Sequence, residues 1–308
     1  SPPMMRALKA QLPQFDIVHL HSVFLWPTWA AARVARARGT PYVLSPRGML
    51  VRGLIRRKSR WLKSAWIRMI ESPNLSNAAA IHVTSERERK DLEELGLALS
   101  RVHIVPNGVD PEDSSPEMHL DPALEAALVR GPCALYLGRL SWKKGLDRLI
   151  RAWAQVRKGH LLIAGNDDEY LAPKLLALIG EAGLQDRVTL VARHINDKEK
   201  SALFGRARVA VLPSYSENFG NVVMEAMAAG CPVVVTPEVG AADVVLESDG
   251  GLVAEETTLS VCLDRLLAYA AEASHMGGAC RVFVTANCSW HSVAAAMSDR
   301  YREVAPEG

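Results

Sequence analysis

The chain has 308 residues, 49% of them hydrophobic and 23% charged, with a formal net charge of +2. At about 150 residues per domain this length predicts two domains, each able to bury a core without staples. Five cysteines scattered without a C-x-x-C pair argue against a disulfide framework or zinc site and for a reducing compartment, and no apolar run reaches the ~18 residues of a membrane span. The opening Ser-Pro-Pro-Met-Met-Arg does not read as a signal peptide. The net charge hides an asymmetry: residues 1–110 hold 17 Lys/Arg against 8 Asp/Glu (+9), and residues 111–308 hold 19 against 26 (−7). The basic half is suited to something anionic, such as lipid headgroups, a phosphate-bearing substrate or nucleic acid. Without an aromatic-basic RNA motif or a basic recognition helix, nucleic acid is the least favoured of these.

In chain order, the first half alternates short strands and helices. Strands are expected at Ile17–His21, Tyr42–Ser45, Ala79–Ser85 and His103–Val105, and helices at Pro27–Ala37, Gly53–Glu71 and Glu86–Leu95. Pro106-Asn107-Gly108 closes the series, and the polar, proline-bearing segment Val109–Leu120 reads as a linker. A second series follows. Its strands are expected at Ala134–Leu137, Leu161–Ala164, Val188–Ala192, Val209–Leu212 and Pro232–Thr236. Its helices are expected near Gly145–Val156, Ala172–Ala182, Asp197–Arg206 and Asn221–Ala229, with a helical tail over Ser260–Ala271 and Ser289–Val304. Strands separated by helices predict parallel sheets with right-handed crossovers, an α/β chain of two Rossmann-like domains.

Two constellations carry chemistry. Glu217 and Glu225 lie eight apart in Pro-Ser-Tyr-Ser-Glu-Asn-Phe-Gly-Asn-Val-Val-Met-Glu, between a strand and a helix. Asn221 and Glu225, four apart, share a face near the helix start, where an open parallel sheet takes its ligand. The spacing suits a ligand with hydroxyls along its length and phosphates in the middle. An N-cap acid plus a solvated helical acid is the plainer alternative, which Gly220 weakens because it permits close backbone approach. In Leu137-Gly138-Arg139-Leu-Ser-Trp-Lys-Lys144-Gly145, Arg139 and Lys144 stand between a strand and a helix start, whose free N–H groups already favour an anion. Together they can hold a diphosphate and stabilise it as it leaves. The alternative is a solvated surface loop. His19 and His21 fall on one face of their strand, with no third residue spaced for a metal. Arg52–Ile70 carries seven Lys/Arg and no acid, with apolar residues near helical spacing. It suits anionic lipid, an acceptor's phosphates, or simply a packed helix with a solvated basic face.

These blocks resemble the family 4 glycosyltransferases, retaining enzymes of the GT-B fold that use nucleotide sugars. The resemblance spans nearly the whole chain: Asp16-Ile-Val-His-Leu-His21, Ser45-Pro-Arg-Gly-Met-Leu50, Val83-Thr-Ser-Glu86, Val105-Pro-Asn-Gly-Val-Asp110, Gly138-Arg139…Lys144-Gly145, Leu161-Leu-Ile-Ala-Gly165, the Glu-x7-Glu block and the tail Cys288-Ser-Trp290…Tyr301-Arg302. It implies a first domain over 1–112, a donor-binding domain over 113–285, and a last helix over 286–308 crossing back to the first, with a cleft between the two. By resemblance, Gly138, Arg139 and Lys144 grip the donor diphosphate and Glu225 the ribose. Glu217 with Asn218, Phe219, Gly220 and Asn221 binds the sugar, Arg193 and His194 seat the base, and His21 reaches the reaction centre. Catalysis is then expected of His21, Glu217, Arg139 and Lys144, without a metal or cofactor, on a UDP- or GDP-linked donor.

Arg47, Arg56, Arg57 and Arg60 are expected on the acceptor or membrane side. The partners implied are a glycan or lipid-linked acceptor and peripheral contact with an anionic membrane, the location cytoplasmic at the inner face. One departure stands out: the family's first domain opens with a strand and a glycine-rich loop before the Asp-Ile-Val-His block, whereas here about fifteen residues precede it. A shortened N-terminus, with uncovered sheet edge and reduced turnover, is therefore expected. The alternatives are a nucleotide-sugar-binding remnant without catalysis, recognised by binding without transfer, and a GT-B epimerase or phosphorylase, recognised by its product. The absence of G-x-G-x-x-G after a strand disfavours a dehydrogenase.

Overall fold

A computed structural model describes residues 2–57, 60–110 and 120–305; the side chains of Leu54, Arg56, Arg57 and Arg60 lie outside this description. The chain divides into two units, Ser1–Asn107 with His291–Gly308, and Gly108–Trp290. The expected boundary at residues 112–113, and most of the polar segment around it, lie outside the described residues.

The first unit holds one parallel sheet in the order β1-β2-β3-β4: β1 (Val18–His21), β2 (Tyr42–Ser45), β3 (Ala80–Val83) and β4 (Val102–Ile104). Helix Trp26–Arg38 crosses from β1 to β2, burying Ala30, Ala31, Ala32, Val34 and Ala35 and ending at left-handed Gly39. The next crossover, expected as a helix over Gly53–Glu71, is helical at its described residues, Arg52–Arg57 and Arg60–Trp66, and then widens into a π-helical turn Ile67–Glu71 that leads into Ser72–Ser76. The reason lies in Glu71. Its buried carboxylate accepts from the Phe24 backbone N–H (2.7 Å) and the Trp66 indole (2.7 Å), so the widened turn brings it inward. Pro73 then occupies the first turn of the following helix, where a missing N–H is tolerated. Helix Trp290–Arg302 contributes its residues from His291 onward to this unit, where Glu303 pairs with Arg101 (3.5 Å) and lies 3.6 Å from the His103 ring nitrogen.

The second unit is a six-stranded parallel sheet in the order β10-β9-β8-β5-β6-β7. The strands are β5 (Cys133–Leu137), β6 (His160–Ala164), β7 (Val188–Val191), β8 (Val209–Leu212), β9 (Val233–Val235) and β10 (Gly251–Val253). Both faces of the central strands are covered, which is why β5, β8 and all of β6 after His160 are buried, mainly apolar runs. β10 and helix Ala242–Glu247 have no counterpart among the expected elements. In the tail the two expected helices appear as Leu259–Ala268 and Trp290–Arg302, and a third, Ala270–Asn287, lies between them. Gly277 and Gly278 lower the propensity of Ala270–Asn287, and packing overrides it. A Cβ on Gly277 would stand 2.2 Å from the Gly230 carbonyl oxygen, so glycine lets that helix lie against the backbone.

From β5 the chain runs to β6 and β7, then returns to place β8 on the other side of β5. The strand order reverses between β5 and β8, so the loops leaving their carboxyl ends flank the crevice where an open sheet takes its ligand.

Candidate functional site

The loops after β5 and β8 carry both expected constellations, and they touch through backbone. Gly145 has φ 66°, and a Cβ there would stand 2.0 Å from the Pro213 carbonyl oxygen. The Tyr215 N–H donates to the Lys143 carbonyl at 2.7 Å. That contact brings Lys144 Nζ onto Glu217 Oε2 in a hydrogen-bonded ion pair, with the two side chains 17% and 19% exposed. The loop after β9 joins them: the Glu217 N–H donates to the Glu238 carbonyl, and the Gly240 N–H to the Glu217 carbonyl, both at 3.1 Å. Beneath lies Arg148, 6% exposed, 3.5 Å from Glu238 and with its guanidinium 4.1 Å from the centre of the Tyr215 ring.

Left-handed Gly220 ends the Glu217 loop and opens helix Asn221–Ala228, which has no side-chain cap. The N-cap glycine has no side chain to offer the first turn, where the Val223 N–H donates to the Gly220 carbonyl at 2.8 Å. Asn221 is exposed on the first turn, and Glu225, partly buried one turn on, pairs with Lys200 at 3.2 Å. Asn218 is partly exposed beside Glu217, whereas the Phe219 side chain is 2% exposed and belongs to the core. Gly138 is pinned through its N–H to the Ala164 carbonyl (3.0 Å), and the Tyr136 hydroxyl donates to the Arg139 carbonyl (2.8 Å). The Arg139 side chain is exposed. Arg193 is already engaged. It donates to Glu199 at 2.7 and 3.1 Å and to the His194 carbonyl at 2.7 Å, and holds the Glu199 carboxyl below the usual carboxylate range. His194 is exposed.

In the first unit the carboxyl ends of the strands carry a second group. The rings of His19 and His21 stack 4.1 Å apart. His19 bonds the Ser45 hydroxyl through Nε2 (2.7 Å) and the Tyr301 hydroxyl through Nδ1 (2.6 Å). Ser45 bonds His82 Nδ1 (2.8 Å), and His82 Nε2 reaches the Val105 carbonyl (2.9 Å). Burial, with the adjacent His21, His82 and Arg47, pushes His19 down to about 3; burial pushes His82 down to about 4, against the opposing Val105 hydrogen bond. His21 is also lowered, by burial and then by Arg47.

Arg47, expected on the acceptor or membrane side, sits with φ 56° and donates to His21 Nδ1 (3.1 Å from Nη2) and to the Asn107 side chain (3.1 Å). Its companions in that expectation, Arg56, Arg57 and Arg60, lie outside the described side chains. Sequence spacing offered no sign of Lys200, Glu238, Ser45, His82 or Tyr301 as site neighbours, because each arrives from a separate element. Among the described residues no group of three or more His, Cys, Asp or Glu side chains could hold a metal ion, and no helix is long and apolar enough to cross a membrane.

Residues 1–108 match the family model described as Glycosyl transferase 4-like domain, and residues 131–269 the one described as Glycosyl transferases group 1. The chain belongs to the family 4 glycosyltransferases. Among its relatives is a D-inositol 3-phosphate glycosyltransferase of Xylanimonas cellulosilytica, 30% identical over 238 residues, covering 73% of this chain and 57% of the relative. Another is a GDP-mannose:cellobiosyl-diphosphopolyprenol alpha-mannosyltransferase of Xanthomonas campestris, 26% identical over 306 residues, covering 97% of this chain and 77% of the relative. The chain thus spans little more than half the length of the first of these relatives and about three quarters of the second. Solved structures place this glycosyltransferase chain in the GT-B class. A sucrose-phosphate synthase from Thermosynechococcus elongatus has TM-score 0.75 at 26% identity over 98% of this chain and 77% of that one. The Anabaena protein HepE, solved with UDP, has TM-score 0.80 at 15% identity over 98% and 82%, a likeness of fold alone.

Proposed function

We propose that the chain moves a sugar from a nucleotide diphosphate sugar to an acceptor hydroxyl, with retention at the anomeric carbon. The observation that carries this reading is the Lys144–Glu217 pair at the switch point of the second sheet, beside the uncapped start of helix Asn221–Ala228. An ammonium and a helix N-terminus supply the positive charge a diphosphate needs, and exposed Arg139 adds a planar fork. A carboxylate beside them accepts hydrogen bonds from sugar hydroxyls. Glu225, one turn into the helix, accepts from the ribose. The departing diphosphate gathers negative charge as the glycosidic bond breaks. Arg139, Lys144 and the helix start stabilise that charge without a metal. Attack comes from the face the diphosphate leaves, and a phosphate oxygen takes the acceptor's proton.

Relatives named for GDP-mannose and neighbours solved with UDP keep both bases open. The acceptor reading favours a lipid-linked or cell-surface glycan at the cytoplasmic face of a membrane. It is supported by Trp61, Leu62 and Met69, which are 80%, 76% and 70% exposed within an acid-free stretch that also carries Arg52, Lys63 and Arg68.

The test is thermal unfolding with UDP, GDP and ADP, on the native chain and on Glu225→Ala. A ligand at 100 times its dissociation constant adds about 2.7 kcal/mol. One nucleotide should raise the native midpoint, and at the same concentration a variant weakened tenfold should gain only about 1.4 kcal/mol, a shift about half as large. No shift with any nucleotide would overturn the reading.

A further inference from the structure

The histidine group of the first unit has a direction that can be read from its donors and acceptors. A carbonyl only accepts, so His82 Nε2 carries the proton that bonds Val105. His82 is kept neutral by burial, so its Nδ1 is bare and Ser45 must donate to it. The Ser45 oxygen is then the acceptor for His19 Nε2–H, and His19 Nδ1, bare in turn, accepts from the Tyr301 hydroxyl. The bonds all point one way: Tyr301 to His19 to Ser45 to His82 to Val105. They cross the sheet at its carboxyl edge, through β1, β2, β3 and the residue after β4. A charged histidine would bring a second donor and leave one N–H or O–H of the row without an acceptor.

His21 lies on this row through its ring stack with His19. Its own Nδ1 faces the Arg47 guanidinium, which has only donors, so that nitrogen is bare and Nε2 carries the proton. We propose that Tyr301, His19, Ser45 and His82 form a one-way hydrogen-bond relay that holds the ring of His21 in place, with its Nε2–H presented as a donor. This makes Tyr301, on the last helix, a positioning residue for sugar transfer. The inference rests on the proposed function only in giving His21 work to do; the relay itself is a property of the first unit. Two residues on from Tyr301, Glu303 lies 3.5 Å from the Arg101 guanidinium.

The test uses the full chain with 15N-labelled histidine, in native form and as Tyr301→Phe. Ring nitrogen shifts at pH 7 should show His19, His21 and His82 as neutral Nε2–H tautomers in the native protein. In Tyr301→Phe, His19 loses the donor to Nδ1, and the ring signals of both His19 and His21 should move. With UDP-glucose or GDP-mannose as donor, kcat should fall ten- to a hundredfold while the dissociation constant for UDP or GDP stays unchanged. Nδ1–H tautomers in the native protein would overturn the relay. Unchanged His21 signals and unchanged kcat in Tyr301→Phe would overturn the positioning role. So would a loss of kcat shared equally with nucleotide affinity. If Tyr301→Phe does not fold, Ser45→Ala interrupts the row at its centre and is read by the same measurements. Failure of the native chain to transfer sugar would count against the proposed function, while the tautomers still decide the relay.

Discussion

The two units place polar side chains at the carboxyl ends of parallel strands in opposite ways. In the first unit the row from Tyr301 to Val105 is uncharged, with each donor matched to one acceptor. In the second the groups are ions held in pairs: Lys144 with Glu217, Lys200 with Glu225, Arg193 with Glu199. A neutral row in a low-dielectric setting is rigid, because any rotation leaves a buried group unbonded. An ion pair that keeps part of its surface open to solvent is exchangeable, because an arriving phosphate or hydroxyl can take over one partner. The contrast separates a surface built to orient a side chain from one built to receive a charged ligand.

The largest expected effect comes from the backbone contact that assembles the second surface. Gly145→Ala puts a methyl group 2.0 Å from the Pro213 oxygen at a left-handed φ, so it should cost about 3 kcal/mol in urea unfolding and abolish nucleotide binding. A midpoint equal to the native one would show that the loops need no such approach. Lys144→Ala tests whether the ion pairs are ligand-exchangeable. UDP or GDP affinity should fall roughly ten- to a hundredfold by calorimetry while uridine or guanosine affinity stays level. Equal losses for nucleotide and nucleoside would remove Lys144 from the diphosphate site. Glu225→Ala should instead weaken nucleoside and nucleotide alike, about tenfold; an effect on the nucleotide alone would move Glu225 away from the ribose.

The last test concerns the neutral row. His82 protonates near 6.5 when unfolded and near 4 when folded, so the unfolded chain binds the extra proton in that window. Stability should be full above about pH 6.5 and fall as pH drops toward 4. His82→Gln keeps a donor for Val105 and an acceptor for Ser45 without titrating, so its melting curve should depend less on pH over that range. An undiminished slope would place the titration elsewhere.

Much of this was legible from local patterns. β2 and β8 begin and end where the apolar runs predict, and helix Asp197–Arg206 does too, with Asn196 and Glu199 forming a capping box. The shared face of His19 and His21 followed from strand alternation and appears as their stacked rings. The π-helical turn at Ile67–Glu71 was not legible, because it depends on where the Glu71 carboxylate finds the Phe24 N–H, 47 residues away in sequence. Helix Ala270–Asn287 was missed because its glycines suit a close backbone contact that no local scale records.

The sequence by itself determined the α/β alternation, the parallel sheets, and the presence of a glutamate pair and a basic loop at strand ends. Those features have periods of two to eight residues, within reach of local geometry. Only the tertiary structure decided the partners. Lys144 and Glu217 are 73 positions apart, and His19 and Tyr301 are 282 apart. An ammonium, a carboxylate or an imidazole has no sequence pattern naming its counterpart. Which one it meets depends on which loops the sheet order brings side by side, and that order is set by burial of the apolar strands, not by the polar groups they carry.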